Sequence, residues 1–179
     1  CDGWDDYVLS VGRLDSLKRT DLLVRAAAHL EGHGRVVIVG SGPLEQRIRT
    51  LARELGVADR VELLGRVDDA TVKALYARCG AVFYAPFDED YGLVTLEAFQ
   101  SSKPVVTTTD AGGPLEFVQD GETGFVCDAE PEPVATALSR LLANQGLAVE
   151  LGDRGHATVA AIGWDRVVKA LTAPRASSS

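Results

Sequence analysis

The sequence predicts an α/β fold: a doubly wound parallel sheet of about six strands in three α/β/α layers. Three observations predict it. Short β-branched runs alternate with amphipathic helical stretches along the chain, the order that parallel strands joined by crossover helices require. Two of the runs, RVVIVG (35–40) and AVFYAP (81–86), are almost wholly apolar, as strands covered by helices on both faces are. No repeat, internal linker or low-complexity tract breaks the pattern before a serine-rich end.

Taken in order, strands are expected over 7–11 (YVLSV), 35–40, 60–65 (RVELLG), 81–86, 104–109 (PVVTTT) and 124–128 (GFVCD). Leu22, Leu23, Ala26, Ala27 and Leu30 share one helical face, and Leu44, Ile48, Leu51 and Leu55 share the next. Val72, Leu75, Tyr76 and Cys79 make a third, with Asp69 as its N-cap. Later helices are expected over 93–101, 114–119, 132–143 and part of 146–171. Residues 1–172 are thus expected to form one Rossmann-like domain, followed by a disordered tail over 173–179. The chain enters a strand almost at once, so it is expected to be a piece of a larger protein.

Composition bounds the function. The 179 residues suffice for one domain with a substantial core. Hydrophobic content of 46% and charged content of 25% are those of a soluble globular chain. There is no apolar run of membrane-spanning length and no signal-peptide pattern. A net charge of −8 argues against general binding to nucleic acid, which calls for a basic patch. A small anion is still within reach, because two cations and a few backbone amides hold one locally. Cys1, Cys79 and Cys127 are odd in number and lack metal spacing, which fits a reduced, cytoplasmic protein.

In a doubly wound sheet the ligand sits beyond the carboxyl ends of the strands, so the residues just after each strand carry the information. After the first strand, Gly12 permits a tight turn, Arg13 offers a planar fork and Lys18 an ammonium near a helix start. Taken alone, both cations also read as solvated surface charges. After the second, GSGPLE holds two glycines of G-x-G-x-x-G, but Glu45 replaces the third. Gly42 there either touches a ligand or closes a tight turn, with Pro43 in the first helical turn. After the third, Val67 offers an apolar surface for a flat base, or is part of an ordinary loop.

The fourth strand leads into PFDEDYGLVTLEAF. Glu89 lies in the loop, Gly92 lets backbone come close to a ligand, and the amides of Gly92, Leu93 and Val94 are helix-start donors. Glu97 lies about one turn further, and helical side chains lean back toward the N-terminus, so it faces the same crevice. Two carboxylates flanking free amides suit a ligand anionic in its middle and rich in hydroxyls at both ends, as a nucleotide-diphosphate sugar is. The blander alternative makes Glu97 a structural carboxylate and Glu89 a solvated tip beside Asp88 and Asp90. After the fifth strand come Gly112, Gly113, Pro114 and Glu116, another close-approach loop. His29 and His33 bracket Glu31 but read as surface residues, so no metal site is expected.

In order, SVGRL…K, IVGSGPLE, V-x-L-L-G-x-V, the E-x7-E pair with GLVTLEA, KPVV and GG…E-x-V-x-D-G-x-T-G-F-V resemble the carboxy-terminal domain of retaining glycosyltransferases. The likeness is to glycosyltransferase family 4, of the two-domain GT-B fold, and GWDRVVKAL (163–171) resembles its final helix region. The resemblance implies that Arg13 and Lys18 hold a diphosphate, that Glu89 contacts the transferred sugar, and that these three form the catalytic set. It implies that Glu97 holds the ribose, that amides of Gly92–Val94 cap a phosphate, and that Val67 borders the base. The implied donor is a UDP-, GDP- or ADP-sugar, with no cofactor and no metal. A glycan, lipid or polyol acceptor would be bound mainly by a separate amino-terminal domain, which would also make any peripheral contact with the cytoplasmic face of a membrane. Ser102, Asp90 and Tyr91 depart from the usual pattern. Three other readings remain open: a nucleotide-sugar-binding module without catalysis, a GT-B nucleotide-sugar epimerase, and a dinucleotide-dependent dehydrogenase, which the missing third glycine disfavours.

Overall fold

The computed structural model describes residues 4–160. The strands are β1 (Tyr7–Val11), β2 (Arg35–Val39), β3 (Val61–Gly65), β4 (Ala81–Phe83), β5 (Val105–Thr108) and β6 (Gly124–Cys127). The helices are α1 (Thr20–Ala27), α2 (Glu45–Glu54), α3 (Asp69–Arg78), α4 (Leu93–Gln100), α5 (Pro131–Ala143) and α6 (Gln145–Ala160), with a 3₁₀ turn over Gly113–Glu116. The six strands form one sheet in the order β3-β2-β1-β4-β5-β6, and every pairing is parallel. Strand order therefore reverses between β1 and β4. The loops leaving those two strands must diverge to opposite faces, opening a crevice between them.

Alternation along the strands builds both faces. Val8, Val36, Ile38 and Phe83 point into one apolar layer with Leu23, Ile48 and Leu138. Leu9, Val37, Val39 and Val82 point into the other with Tyr76, Phe99 and Val118. Each fully buried aliphatic or aromatic side chain contributes about 1.5–3 kcal/mol of transfer free energy. Helix α6 serves both layers, through Ala148 and Leu151 on one side and Val159 on the other. Gly155 is where α6 meets α4, since a Cβ there would stand 2.4 Å from Phe99 Cδ1.

Most element bounds agree with the sequence to within a residue or so, but four details differ. β4 stops at Phe83 rather than residue 86. The Tyr84 amide still donates to Val106 O (3.0 Å), but the carbonyls of Ala85 and Pro86 turn away to a guanidinium, and Pro86 has no amide for a ladder. The N-cap of α3 is Asp68, not Asp69: its carboxylate accepts the Thr71 amide at 2.7 Å, and that backbone donor lowers its pKa. The helix expected over 114–119 is only a 3₁₀ turn. Beyond it the Thr123 hydroxyl takes the Gln119 amide and donates to Phe117 O, capturing groups a longer helix would use. Pro43 precedes α2 instead of entering it, in a turn closed by Glu45 N to Gly42 O (3.2 Å) and tied to the first loop by Leu44 N to Leu14 O (3.0 Å). The expectations for GWDRVVKAL, for residues 161–172 and for the 173–179 tail lie outside the described residues. Among those described, no helix is long and apolar enough to cross a membrane.

Candidate functional site

The glycines after β1 and β2 let two loops pack backbone to backbone. Gly12, at φ 153°, donates to Val39 O, and a Cβ on Gly40 would lie 1.8 Å from Gly12 O. A Cβ on Gly42 would lie 2.3 Å from Leu14 O. The two glycines of GSGPLE are therefore required by loop packing, whatever else they touch. The packed loops leave a cleft of about 500 Å³ lined by Gly12, Arg13, Gly40, Ser41, Gly42 and Arg66. The Arg13 side chain is 72% exposed and, among the described residues, pairs with Asp15 alone, at 3.6 Å, so its fork is available to a ligand. Arg66 lines the same cleft; its sequence gave no sign of this beyond its place after β3.

Across the switch point the structure brings Lys18 and Glu89 together. Lys18 Nζ forms an ion pair with Glu89 Oε2 and donates to the Tyr84 hydroxyl at 3.1 Å. Burial alone would lower the Lys18 pKa, but its bonds to Glu89 and Tyr84 hold it above the usual amine range. Burial raises the Tyr84 hydroxyl, against the opposing pull of Lys18. Lys18 also borders, with Arg13 and Tyr84, a small interstice of about 10 Å³. That interstice has room for no more than about one water, and the larger cleft is lined by Arg13 but not by Lys18.

Helix α4 starts beside this pair. Its N-cap, Gly92, is left-handed (φ 74°, ψ 54°) and has no side chain with which to cap the helix. Thr95 N donates to Gly92 O (2.9 Å), whereas the amides of Gly92, Leu93 and Val94 have no acceptor among the described residues. Helix-start amides of this kind carry the positive end of the helix dipole. What comes close to Gly92 from the protein side is Pro114, whose Cγ would stand 2.9 Å from a Cβ there. Glu97 is exposed and accepts a hydrogen bond from the Tyr76 hydroxyl of α3 at 3.0 Å. Burial, and then the Glu97 carboxylate, raise the Tyr76 hydroxyl far above its ordinary value. Val67 and Val94 pack against the same apolar layer as Tyr76.

Arg19 was not anticipated as part of this region. It is the residue that holds the loops after β1, β4 and β5 to one another, bonding to Ala85 O, Pro86 O, Thr108 Oγ1 and both carboxylate oxygens of Asp110. Its only mark in the sequence is its place between Lys18 and the start of α1. A second depression of about 500 Å³ lies on the flank, between α1, α2 and the start of α5, with Leu22, Arg25, Leu44, Arg47 and Pro131 among its walls. Arg19 and Asp21 also line it, but Lys18, Glu89, Glu97 and the start of α4 do not. Among the described residues no group of three or more His, Cys, Asp or Glu is placed to hold a metal ion.

A doubly wound α/β domain with cations, carboxylates and free helix amides gathered at its switch point is the class that fold and site define. The chain belongs to the family described as glycosyl transferases group 1, whose family model matches residues 2–158. It is 36% identical over 183 residues to a D-inositol 3-phosphate glycosyltransferase of Actinosynnema mirum, with 94% of this chain and 44% of that protein covered. The chain therefore spans less than half the length of that relative. Its fold matches GT-B glycosyltransferase structures. A sucrose-phosphate synthase from Thermosynechococcus elongatus superposes with a TM-score of 0.84 at 30% identity, covering 93% of this chain and 44% of that one. Anabaena HepE, solved in complex with UDP and glucose, superposes with a TM-score of 0.82 at 23% identity, covering 94% of this chain and 48% of that one.

Proposed function

We propose that this chain is the donor-binding half of a retaining glycosyltransferase of family 4. The enzyme moves a hexose from a nucleotide-diphosphate sugar to a sugar, lipid or polyol acceptor, and the acceptor is held mainly by a separate amino-terminal domain. The observation that carries this reading is the convergence of Lys18 and Glu89 beside the open amides of α4. A diphosphate and a hexose are joined at one anomeric bond. A cation and a carboxylate side by side suit the two sides of that bond. The UDP and glucose bound to HepE support a donor of this chemical class.

The difficult event in transfer is departure of the diphosphate while positive charge builds at the anomeric carbon. Arg13, Lys18 and the amides of Gly92–Val94 stabilise the leaving negative charge, an electrostatic role that calls for no metal. Donor entry parts the Lys18–Glu89 pair: the ammonium turns to phosphate, and the carboxylate turns to the sugar hydroxyls and the developing positive charge. Glu97, oriented by Tyr76, holds the ribose, and Val67 borders the base. Metal-independent transfer in the cytoplasm is part of the same proposal.

The test is titration of the chain with UDP, GDP and ADP and their hexose conjugates, followed by assay of each for transfer. One nucleotide series binds, and the chain alone transfers no sugar because the acceptor half is missing. Binding of none of the three series would sink the proposal. Binding of NADH in place of a nucleotide diphosphate would favour a dehydrogenase instead.

A further inference from the structure

We propose that Arg19 is a positioning residue, one that fixes Lys18 against Glu89 by clamping the three loops around them. The proposal deepens the donor-binding reading and rests on it for the ligand, though not for the geometry. Arg19 adopts a left-handed backbone (φ 48°, ψ 39°), a region that residues with a Cβ rarely visit because it crowds the following carbonyl. Such a conformation persists where its surroundings over-determine it, and here the guanidinium does so. Its side chain is 16% exposed. Nε donates to Ala85 O at 2.8 Å, and the terminal nitrogens donate to Pro86 O at 2.7 Å and Thr108 Oγ1 at 2.7 Å. The same nitrogens grip Asp110 bidentately, at 2.8 Å to each oxygen. This is the geometry in which a planar fork outperforms an ammonium.

These bonds reach both members of the pair. Lys18 is the residue before Arg19, so the left-handed turn sets where its ammonium goes. On the other side, the Asp110 carbonyl accepts the Asp88 amide (3.1 Å), Ala111 O accepts the Glu89 amide (3.0 Å), and Glu89 O accepts the Gly113 amide. Fixing Asp110 therefore fixes the backbone that carries Glu89. Asp88, the residue before Glu89, is left-handed too (φ 48°). Of the three left-handed non-glycine residues among those described, Arg19, Asp88 and Ser102, two adjoin the ion pair in sequence. Phe87 adds to the clamp, with its ring 5.8 Å from the guanidinium carbon and its amide donating to Leu17 O. All three guanidinium nitrogens of Arg19 are bonded to the protein, so it acts through Lys18 and Glu89 and does not touch the donor.

The experiment compares wild type with Arg19→Gly, which suits the backbone angle but lacks the fork, and with Asp110→Asn, which keeps the loop but weakens the grip. The first readout needs no nucleotide: the rate of Lys18 acetylation by acetic anhydride, mapped by mass spectrometry, with the exposed Lys73 as internal reference. Lys18 should react several-fold faster in either variant and no faster in the double variant, while Lys73 is unchanged. An unchanged Lys18 rate, additive effects, or equal acceleration at Lys73 would overturn the proposal, the last by reducing Arg19 to general stability. The second readout is affinity. Arg19→Gly should weaken a nucleotide-diphosphate sugar several-fold while leaving the nucleoside monophosphate unaffected, and equal losses would contradict the positioning role. If wild type binds no nucleotide sugar, the donor-binding reading fails, and the acetylation rates still decide the role of Arg19.

Discussion

Lys18 and Glu89 stand 71 positions apart in the chain, yet they form an ion pair across the point where strand order reverses, with the Tyr84 hydroxyl as a third partner. A charged hydrogen bond to a bound anion is worth about 1.5–3 kcal/mol, or roughly 10–100-fold in affinity. Lys18→Ala should weaken the nucleoside diphosphate by about that factor in a calorimetric titration. Glu89→Gln should leave the same affinity unchanged or slightly stronger, because it removes the carboxylate that competes for Lys18. Loss of diphosphate affinity in Glu89→Gln would show that the carboxylate supports the phosphate side.

Glu97 is assigned to a ribose hydroxyl, and its orientation depends on Tyr76. Glu97→Ala should reduce affinity for the ribonucleotide by roughly tenfold, the weight of one charge-assisted bond, and barely change affinity for the 2′,3′-dideoxynucleotide, which lacks both hydroxyls. Tyr76→Phe should give a smaller loss in the same direction. Equal losses across ribo- and dideoxynucleotides, measured side by side, would remove Glu97 from the ribose.

Gly92 combines a left-handed backbone with close contact to Pro114. Gly92→Ala should destabilise the fold by about 1–2 kcal/mol from the backbone angle alone, with some addition from the crowded ring. Urea unfolding reads the difference. Gly40→Ala should cost more, because its Cβ would meet the Gly12 carbonyl at 1.8 Å, and backbone does not move aside as a flexible side chain does.

Asp110 supplies a pH dependence. The Arg19 guanidinium holds its carboxyl below the ordinary value of 3.8, against a smaller opposing effect of burial. A depressed folded pKa means that the unfolded chain takes up the proton first, so the stability is fully present above that ordinary value and is lost as pH falls through the folded one. The stability difference between wild type and Asp110→Asn should therefore shrink as pH drops below about 4. Asp5 and Asp68 are depressed as well, by Arg78 and by the Thr71 amide. Their slopes appear in both proteins and cancel in the comparison. A difference that is constant from neutrality to pH 2 would count against the Arg19–Asp110 bond.

The fold was legible because apolar periodicity speaks directly to sheet and helix: RVVIV and AVF are the buried strands β2 and β4; the strand order that locates the switch point was not. The positions just after strands were legible for the same reason, so Arg13, Lys18, Glu89 and Glu97 could be placed at the carboxyl edge of the sheet, while the roles proposed for them came from the family resemblance. Three further things were not. The Lys18–Glu89 pairing depends on how two distant loops fold toward each other, which no local pattern encodes. Asp68 and Asp69 are equally good N-caps by residue type, and only loop geometry chooses between them. Arg19 occupies a backbone conformation that statistics reserve for glycine, because five tertiary bonds outweigh a local preference.

The central claim is that a nucleotide-diphosphate sugar is held at the β1–β4 switch point by Lys18, Arg13 and the start of α4. Isothermal titration of the donor series against wild type and the Arg13→Ala/Lys18→Ala double variant tests it most directly. The account predicts that one nucleotide sugar binds wild type and that binding is lost in the double variant while its melting temperature is retained. Unchanged affinity in a folded double variant would contradict it.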